Sequence, residues 1–306
     1  MTTITSSLGT RAQDAELRDR LLRPWPRLTT SGIVGMVAIA LFYVWGMVGT
    51  KASPVELAKG VPNMLDFFRR LTPPQWDLKP LALQTPTITV APGFVIPELG
   101  LSGMSVMAPE ILFAILETIQ MALIGTTGAV ILAFPFGLLA ARNTSPHPWV
   151  YGATRFVLNA NRAVPNLIFA LIFVAAVGLG PFGGVMAIMI GAIGFMGKLY
   201  AEAIESVNPQ QVLAVSATGA SRIQTFIYGV IPQALPLVAS YALLLFETNI
   251  RSATVLGIVG AGGVGFVLAK YMALFQYQKL LGALIAIIVT VTIIDRVSDA
   301  LRRRIL

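Results

Sequence analysis

Six apolar runs dominate this 306-residue chain, near 31–50, 111–140, 152–178, 182–205, 230–250 and 280–298. Each approaches or exceeds the roughly 20 residues that a helix needs to cross a bilayer. In lipid every backbone N–H and C=O must be satisfied within the protein, which restricts such runs to helices. The composition agrees, with 56% hydrophobic and 12% charged residues and a mean hydropathy of +0.77. Soluble chains carry about twice that share of charge. The first run, "SGIVGMVAIALFYVWGMVGT", starts too late and lacks the small-residue cleavage site of a removable signal peptide. An all-α integral membrane protein with about six transmembrane helices is expected.

The net charge of +8 on so apolar a chain points to membrane orientation and lipid contact, with no nucleic-acid partner. Six spans put both termini on one side. That side holds five basic residues in 1–30, three in 141–162, Lys198, Arg222 and four after 295, against eight elsewhere. An excess of Lys and Arg marks the cytoplasmic face. Residues 1–30 and 301–306 are therefore expected in the cytoplasm, 31–50 as the first span, and 51–108 outside. The outer segment, with "TPPQ", "KPLALQTPTITVAPG" and an amphipathic helix at "VELAKGVPNMLDFFRRL", reads as an excursion from the membrane, not a separate domain. With no cysteine, a disulfide framework, a thiolate nucleophile and a Cys-ligated metal site are excluded. His147, the only histidine, lies in "TSPHPWV" and reads as an exposed loop residue without a metal-binding partner.

Between the fourth and fifth spans the chain carries "VNPQQVLAVSATGASRIQTFIYGVIPQALP", residues 207–236. Asn208 followed by Pro209, with Gln211 three residues after the asparagine, predicts a capped helix start. Gly219 supplies the left-handed residue that ends a helix, and Ser221 to Gln224 form a second capping box. Helix, glycine turn and helix follow from these signals. A DNA-reading helix-turn-helix has this outline too, but apolar spans flank the element and only Arg222 offers a cation to phosphate. A docking surface built from Ala214, Ser216, Ala217, Gly219 and Ala220 suits the residues better.

Counted from Gly219, the insert is similar to the coupling loop of ABC importer permeases. That pattern runs Glu-Ala-Ala, three residues, Gly, nine residues, Ile, one residue, Leu-Pro. Ala214 and Pro232 match, Ile231 replaces leucine, and Leu213, Val215 and Gly229 depart from it. With "NRAVPNLIFALIFVAAVGLGPFGGVMAI", "GKLYAEAIESV" and "ETNIRSATVLGIVGAGGVG", residues 109–300 resemble the phosphonate-class permeases of that group. The resemblance implies a type I ABC importer permease, with a methionine-importer-like core of five helices and one N-terminal helix, in the cytoplasmic membrane. It implies a coupling loop at 207–232 carrying Ala214, Ser216, Ala217, Gly219, Ala220, Ser221, Arg222 and Pro232. A second permease copy or paralogue, two ATPase subunits holding ATP and Mg, an extracytoplasmic phosphonate-binding protein and membrane lipid would be the partners. The chain itself would bind no cofactor and catalyse no reaction.

Motifs that suggest an enzyme lack their context. "GLGPFG" at 178–183 and "GAGGVG" at 260–265 follow no strand and read as turns. "GFMGKL" has the wrong glycine spacing for a phosphate-binding loop, and Leu199 stands where that loop needs Ser or Thr. Lys198 and Glu202, like Glu247 and Arg251, lie four residues apart, so each pair can neutralise itself along its helix. For an importer of anions these four are also candidate pathway residues. Arg251 is preferred because it sits at the outer end of the fifth span. Arg162 is expected to reach headgroups, and Glu117, Thr118 and Gln120 to bond between helices. Importers of phosphate, phosphite or an amino acid remain open, as do a membrane-embedded enzyme and a secondary carrier. Topology is testable because native cysteine is absent. Single cysteines at Ser145 and Ser221 should react only with reagent admitted to the cytoplasm, and one at Thr87 only from outside.

Overall fold

A computed structural model describes residues 30–50, 54–76, 78–82, 88–91, 94–96 and 105–305; Thr87 and the tail residue 306 lie outside these. The chain divides into two units, Met1–Phe67 and Phe68–Leu306. In the first, α1 (Thr30–Thr50) is apolar on every side, the pattern of a membrane span. α2 (Pro54–Leu71) opens on proline and closes on Arg69 and Arg70, charges that suit a helix C-terminus. It is the amphipathic helix expected around "VELAKGVPNMLDFFRRL". The sequence reading assigned no strands between the first two spans. Among the described residues, β1 (Leu78–Ala82) pairs antiparallel with β4 (Ser105–Pro109), and β2 (Ile88–Ala91) with β3 (Phe94–Ile96). The β-branched and aromatic residues of "ITV" and "FVI" suit strands.

From Glu110 onward the regular elements are all helical. They begin with α3 (Glu110–Ala140), α4 (Pro148–Ala163), α5 (Asn166–Val177), α6 (Pro181–Glu205), α7 (Pro209–Ala217) and α8 (Arg222–Thr225). A π-helical turn (Phe226–Val230) leads into α9 (Ile231–Leu256), and a tight turn (Gly257–Val259) leads on to α10 (Gly263–Ala273) and α11 (Tyr277–Ile305). Among the described residues, five segments are long and apolar enough to cross a membrane: α1, α3, α6, the run Arg222–Val259 and α11. The run at 152–178 was expected to be one span, but α4 and α5 meet at 83°. Pro165 has no N–H to continue the ladder and disfavours helix in the residue before it. Helix α10, an apolar piece of 11 residues, was not foreseen.

α3 is the spine. Its buried residues enter all four core clusters, from Ile111, Ala114 and Ile115 beside Tyr271 and Leu280, through Met121 and then Ala129 and Ala133, to Ala140 beside Leu158 and Ile204. Alanine and glycine dominate, because lipid gives apolar side chains no reason to leave it and close packing must hold the helices instead. A Cβ at Gly125 would sit 2.7 Å from Ile188 Cγ2, and one at Gly184 would sit 2.9 Å from the Ala261 carbonyl oxygen. Gly137 leaves room for Tyr200.

The tightest approach joins α9 to α10. A Cβ at Gly257 would lie 2.6 Å from Gly265 Cα, and one at Gly265 would collide with the Thr254 carbonyl oxygen. Backbone cannot yield as a side chain can. Gly265→Ala should therefore cost about 1–3 kcal/mol, read as a lower thermal unfolding midpoint of the purified protein. Gly152→Ala, where nothing lies within 4 Å, should leave the midpoint unchanged or slightly higher. Equal midpoints for both variants would contradict this packing.

Candidate functional site

The loop after α6 forms as its capping residues dictate. Asn208 Oδ1 accepts from the Gln210 N–H at 2.9 Å, and Pro209 occupies the first helical turn. The return bond expected of Gln211 is made by Gln233 instead. The Asn208 N–H donates to Gln233 Oε1 at 2.9 Å, and Gln233 Nε2 donates to the Gly229 carbonyl at 2.6 Å. A long-range tie thus replaces a local one and fastens the loop to the base of α9. Gly219 ends α7 with φ +84°, and the Ser221–Gln224 capping box closes in both directions at 2.9 and 3.4 Å. Gly229 is buried, and a Cβ there would already touch Val212 and Val215. The branches of the motif's isoleucine would push α7 away, which accounts for glycine at that position.

Ala214, Ser216, Ala217, Gly219, Ser221, Arg222 and Pro232 are exposed and Ala220 is half-buried. Around them stand Leu213, Ile223 and Tyr228, exposed by 60, 72 and 70%. Sequence reasoning passed over these three as surface, although large apolar residues in a polar insert were the available signal. The run Arg222–Val259 has 38 residues, about 57 Å of helix against about 30 Å of hydrocarbon. Some of that length must extend past the apolar phase, and the loop lies at one end of the run.

The charged pairs differ from expectation. Glu247 does not neutralise Arg251. It accepts from Arg302 Nη2 at 3.0 Å, and Arg251 Nη2 holds Asp295 at 2.8 Å. Lys198 and Glu202 form no ion pair among the described residues. In α6 and α9 alike, partners across helices, or none, replace the i,i+4 partner. Arg302 also reaches Asp299 at 3.2 Å, so α9 and α11 are joined by a ladder of five charges. Arg251 lies near the end of α9, yet the chain continues past it through α10. Opposite it, Asp295 stands 18 residues after Tyr277, about 27 Å along α11. Arg251 thus meets α11 far from the first residue of that helix, although it was expected at the outer end of its own span.

The two glycine motifs are turns, as expected, and they meet. The Gly180 N–H donates to the Gly260 carbonyl at 3.0 Å. Gly260, Gly262 and Gly263 take φ of +90, +80 and +68°. The Glu117 carboxylate lies beside this turn, where a Cβ on Gly262 would stand 2.9 Å from Glu117 Oε1. Thr118 Oγ1 accepts from the Val264 N–H at 2.8 Å and donates to the Ala114 carbonyl at 2.7 Å. Gln120 is exposed and does not join them. Deeper along α3, Asn249 Nδ2 donates to Thr126 Oγ1 at 2.9 Å, a buried contact with no local sequence signal.

At the loop end, Glu205 accepts from the Arg142 N–H at 2.8 Å and from Arg155 Nη2 at 3.1 Å. The Tyr151 ring lies beside both guanidinium groups, and its hydroxyl accepts from Arg142 Nε at 3.1 Å. That bond holds the Arg142 guanidinium above its usual pKa. His147 Nδ1 accepts from the Trp149 N–H at 3.2 Å, so the exposed histidine caps α4. Arg162, expected at headgroups, covers the Phe195 ring at 5.7 Å.

The ladder yields a test. The Glu247 side chain is 10% exposed and that of Arg302 27%. Glu247→Ala should cost about 2–3 kcal/mol, because Arg302 then stays largely buried with Asp299 alone. Glu247→Leu combined with Arg302→Met should recover most of that loss. Thermal unfolding in detergent reads both, and a double variant no better than the single one would count against the pair.

The model of the binding-protein-dependent transport system inner membrane component family matches residues 133–306. The phosphite transport system permease protein PtxC of Stutzerimonas stutzeri is 35% identical over 311 residues, covering 98% of this chain and 99% of its own. The phosphate-import permease protein PhnE of Mycolicibacterium smegmatis is 38% identical over 289 residues, 94% of this chain and 47% of that one. Among solved structures, the inward-facing MetNI methionine ABC transporter has the same fold, with a TM-score of 0.58 at 20% identity, over 65% of this chain and 100% of the matched one. With more than half its length matched by the family model, and a relative aligned nearly end to end, the chain belongs to the family of binding-protein-dependent transport system inner membrane components.

Proposed function

We propose that this chain is the permease subunit of an ATP-driven importer for a small phosphorus oxyanion of the phosphonate class, phosphate and phosphite included. The observation that carries the reading is the loop after α6, with two capped helices about a left-handed glycine and a side-chain tie to α9. The relatives named for phosphite and phosphate supply the solute class. Both termini and the 207–232 loop lie in the cytoplasm, as the distribution of basic residues favours, and 51–108 lies outside. A second permease copy or paralogue completes the pathway. Two ATPase subunits, with ATP and Mg, seat on the loops, and an extracytoplasmic binding protein delivers the solute.

No bond in the solute changes. When the ATPase subunits close, the force on α7 passes through Asn208 and Gln233 into α9. It then passes through Glu247 and Arg251 to α11. Short hydrogen bonds and ion pairs make this path stiff, so movement of the loop becomes movement of spanning helices. Arg251 keeps donors uncommitted beyond its bond to Asp295, and its side chain is 53% exposed. It remains a pathway candidate with Glu247, Lys198 and Glu202.

Purified with its ATPase subunits and reconstituted with the binding protein, the chain should take up methylphosphonate or phosphite only when ATP is present. Uptake by the chain alone would make it a secondary carrier. Gly219→Val should strain the left-handed turn by about 1–2 kcal/mol. Uptake should fall sharply while the membrane level holds. Arg251→Lys, which loses the planar guanidinium, should reduce uptake more than Glu247→Gln if Arg251 meets the solute.

A further inference from the structure

α4 and α6 each carry, where they pack together, a cation that has no acidic partner among the described residues. Arg162, in the last turn of α4, lays its guanidinium over Phe195, 5.7 Å from the ring centroid. Its Cγ lies 3.0 Å from the point where a Cβ on Gly194 would stand. Lys198 follows Phe195 by three residues and Gly194 by four, so it shares their face of α6. The helices are pinned at this point. Asn161 Nδ2 donates to the Ile190 carbonyl at 3.1 Å, and Asn161 Oδ1 accepts from the Gly194 N–H at 2.8 Å. The glycine is what permits the approach, since a Cβ there would lie 2.7 Å from the Leu158 carbonyl oxygen.

The remaining cations of the core are accounted for. Among the described residues from α3 to α10, Arg155, Arg251 and Lys270 each hold a carboxylate, and Arg142 holds the Tyr151 hydroxyl. Arg162, Lys198 and the loop residue Arg222 form no ion pair and no hydrogen bond among those residues. Glu202, one turn from Lys198, is exposed and leaves it unpaired. Lys198 is half-buried and Arg162 exposed. A half-buried charge beside the apolar phase without a counter-charge is unfavourable, and a second cation on the facing helix lets one anion serve both.

We propose that Arg162 and Lys198 form a binding site for a phosphorus oxyanion. The guanidinium, over the Phe195 ring, can offer two parallel N–H donors to a tetrahedral anion. The ammonium adds a third donor from the neighbouring helix. Lys198 precedes the end of α6 by seven residues, about 10 Å, so the site lies toward the loop end of that helix. It deepens the importer reading and depends on that reading only for the source of the anion. A free solute near release and a lipid headgroup phosphate present the same chemistry.

Acetylation of Lys198, followed by mass spectrometry on the permease with its ATPase subunits in nanodiscs, separates the sources. In phosphatidylcholine nanodiscs, methylphosphonate or inorganic phosphate should slow modification, and sodium chloride of equal ionic strength should not. Protection that instead requires phosphatidylglycerol, with no solute added, assigns the site to lipid. Arg162→Gln should raise the half-protecting concentration about tenfold, the loss of one charge-assisted contact, while the other lysines react as before. Modification of Lys198 at one rate in every condition overturns the site, as does protection by chloride alone. Uptake by the same wild-type complex is scored separately. Uptake without protection sinks the site alone, and protection without uptake of any phosphorus oxyanion sinks the importer's solute class and leaves the site standing.

Discussion

Close backbone approach between α3 and α6 is the constraint on which the other helices depend. Gly125, Gly137 and Gly184 leave space that Ile188, Tyr200 and Met121 fill across the two helices. Lipid competes for large apolar side chains as well as protein does, so contact between small residues, with the dispersion and hydrogen bonds it allows, holds this bundle. Once the two helices are in contact, α4 and α5 can lie on the opposite side of α6, where Gly191 and Gly194 receive Asn166 and Asn161. α9 then packs against both, and its end doubles back through glycines with positive φ.

That arrangement explains why the polar groups are where they are. Thr118 and Thr126 both sit on α3, and each meets a group from a later helix: the Val264 N–H and Asn249. A spine that touches every layer is where buried polar groups find partners. The ladder between α9 and α11 has the same logic, with Glu247 and Asp295 taking arginines from across the interface. It ties the helix below the proposed coupling loop to the chain's last helix.

What the sequence made legible was local. The caps at Asn208 and Ser221 and the left-handed Gly219 follow from residue types a few positions apart, and the structure has all three. Span lengths were legible for the same reason, because hydrocarbon thickness acts on consecutive residues. Spacing along one helix could not reveal a partner on another. Glu247 and Arg251 are well placed to pair at i,i+4, yet each finds a better partner on α11. Gln233 takes the bond that Gln211 could have made. Pro165 was in plain view, but whether a proline kinks a span or splits it depends on the helices around it. The unpaired state of Lys198 beside Arg162 appears only when α4 is folded onto α6.

The central claim is that work enters this chain through the loop around Gly219. A photo-crosslinking amino acid at Leu213, exposed on that loop, tests it most directly when used in membranes that also contain the ATPase subunits. The expected result is an adduct between this chain and an ATPase subunit, with a yield that changes when ATP is added. An ATPase that co-purifies with the permease yet is never captured from Leu213, and is captured instead from Trp149 on α4, would contradict the claim.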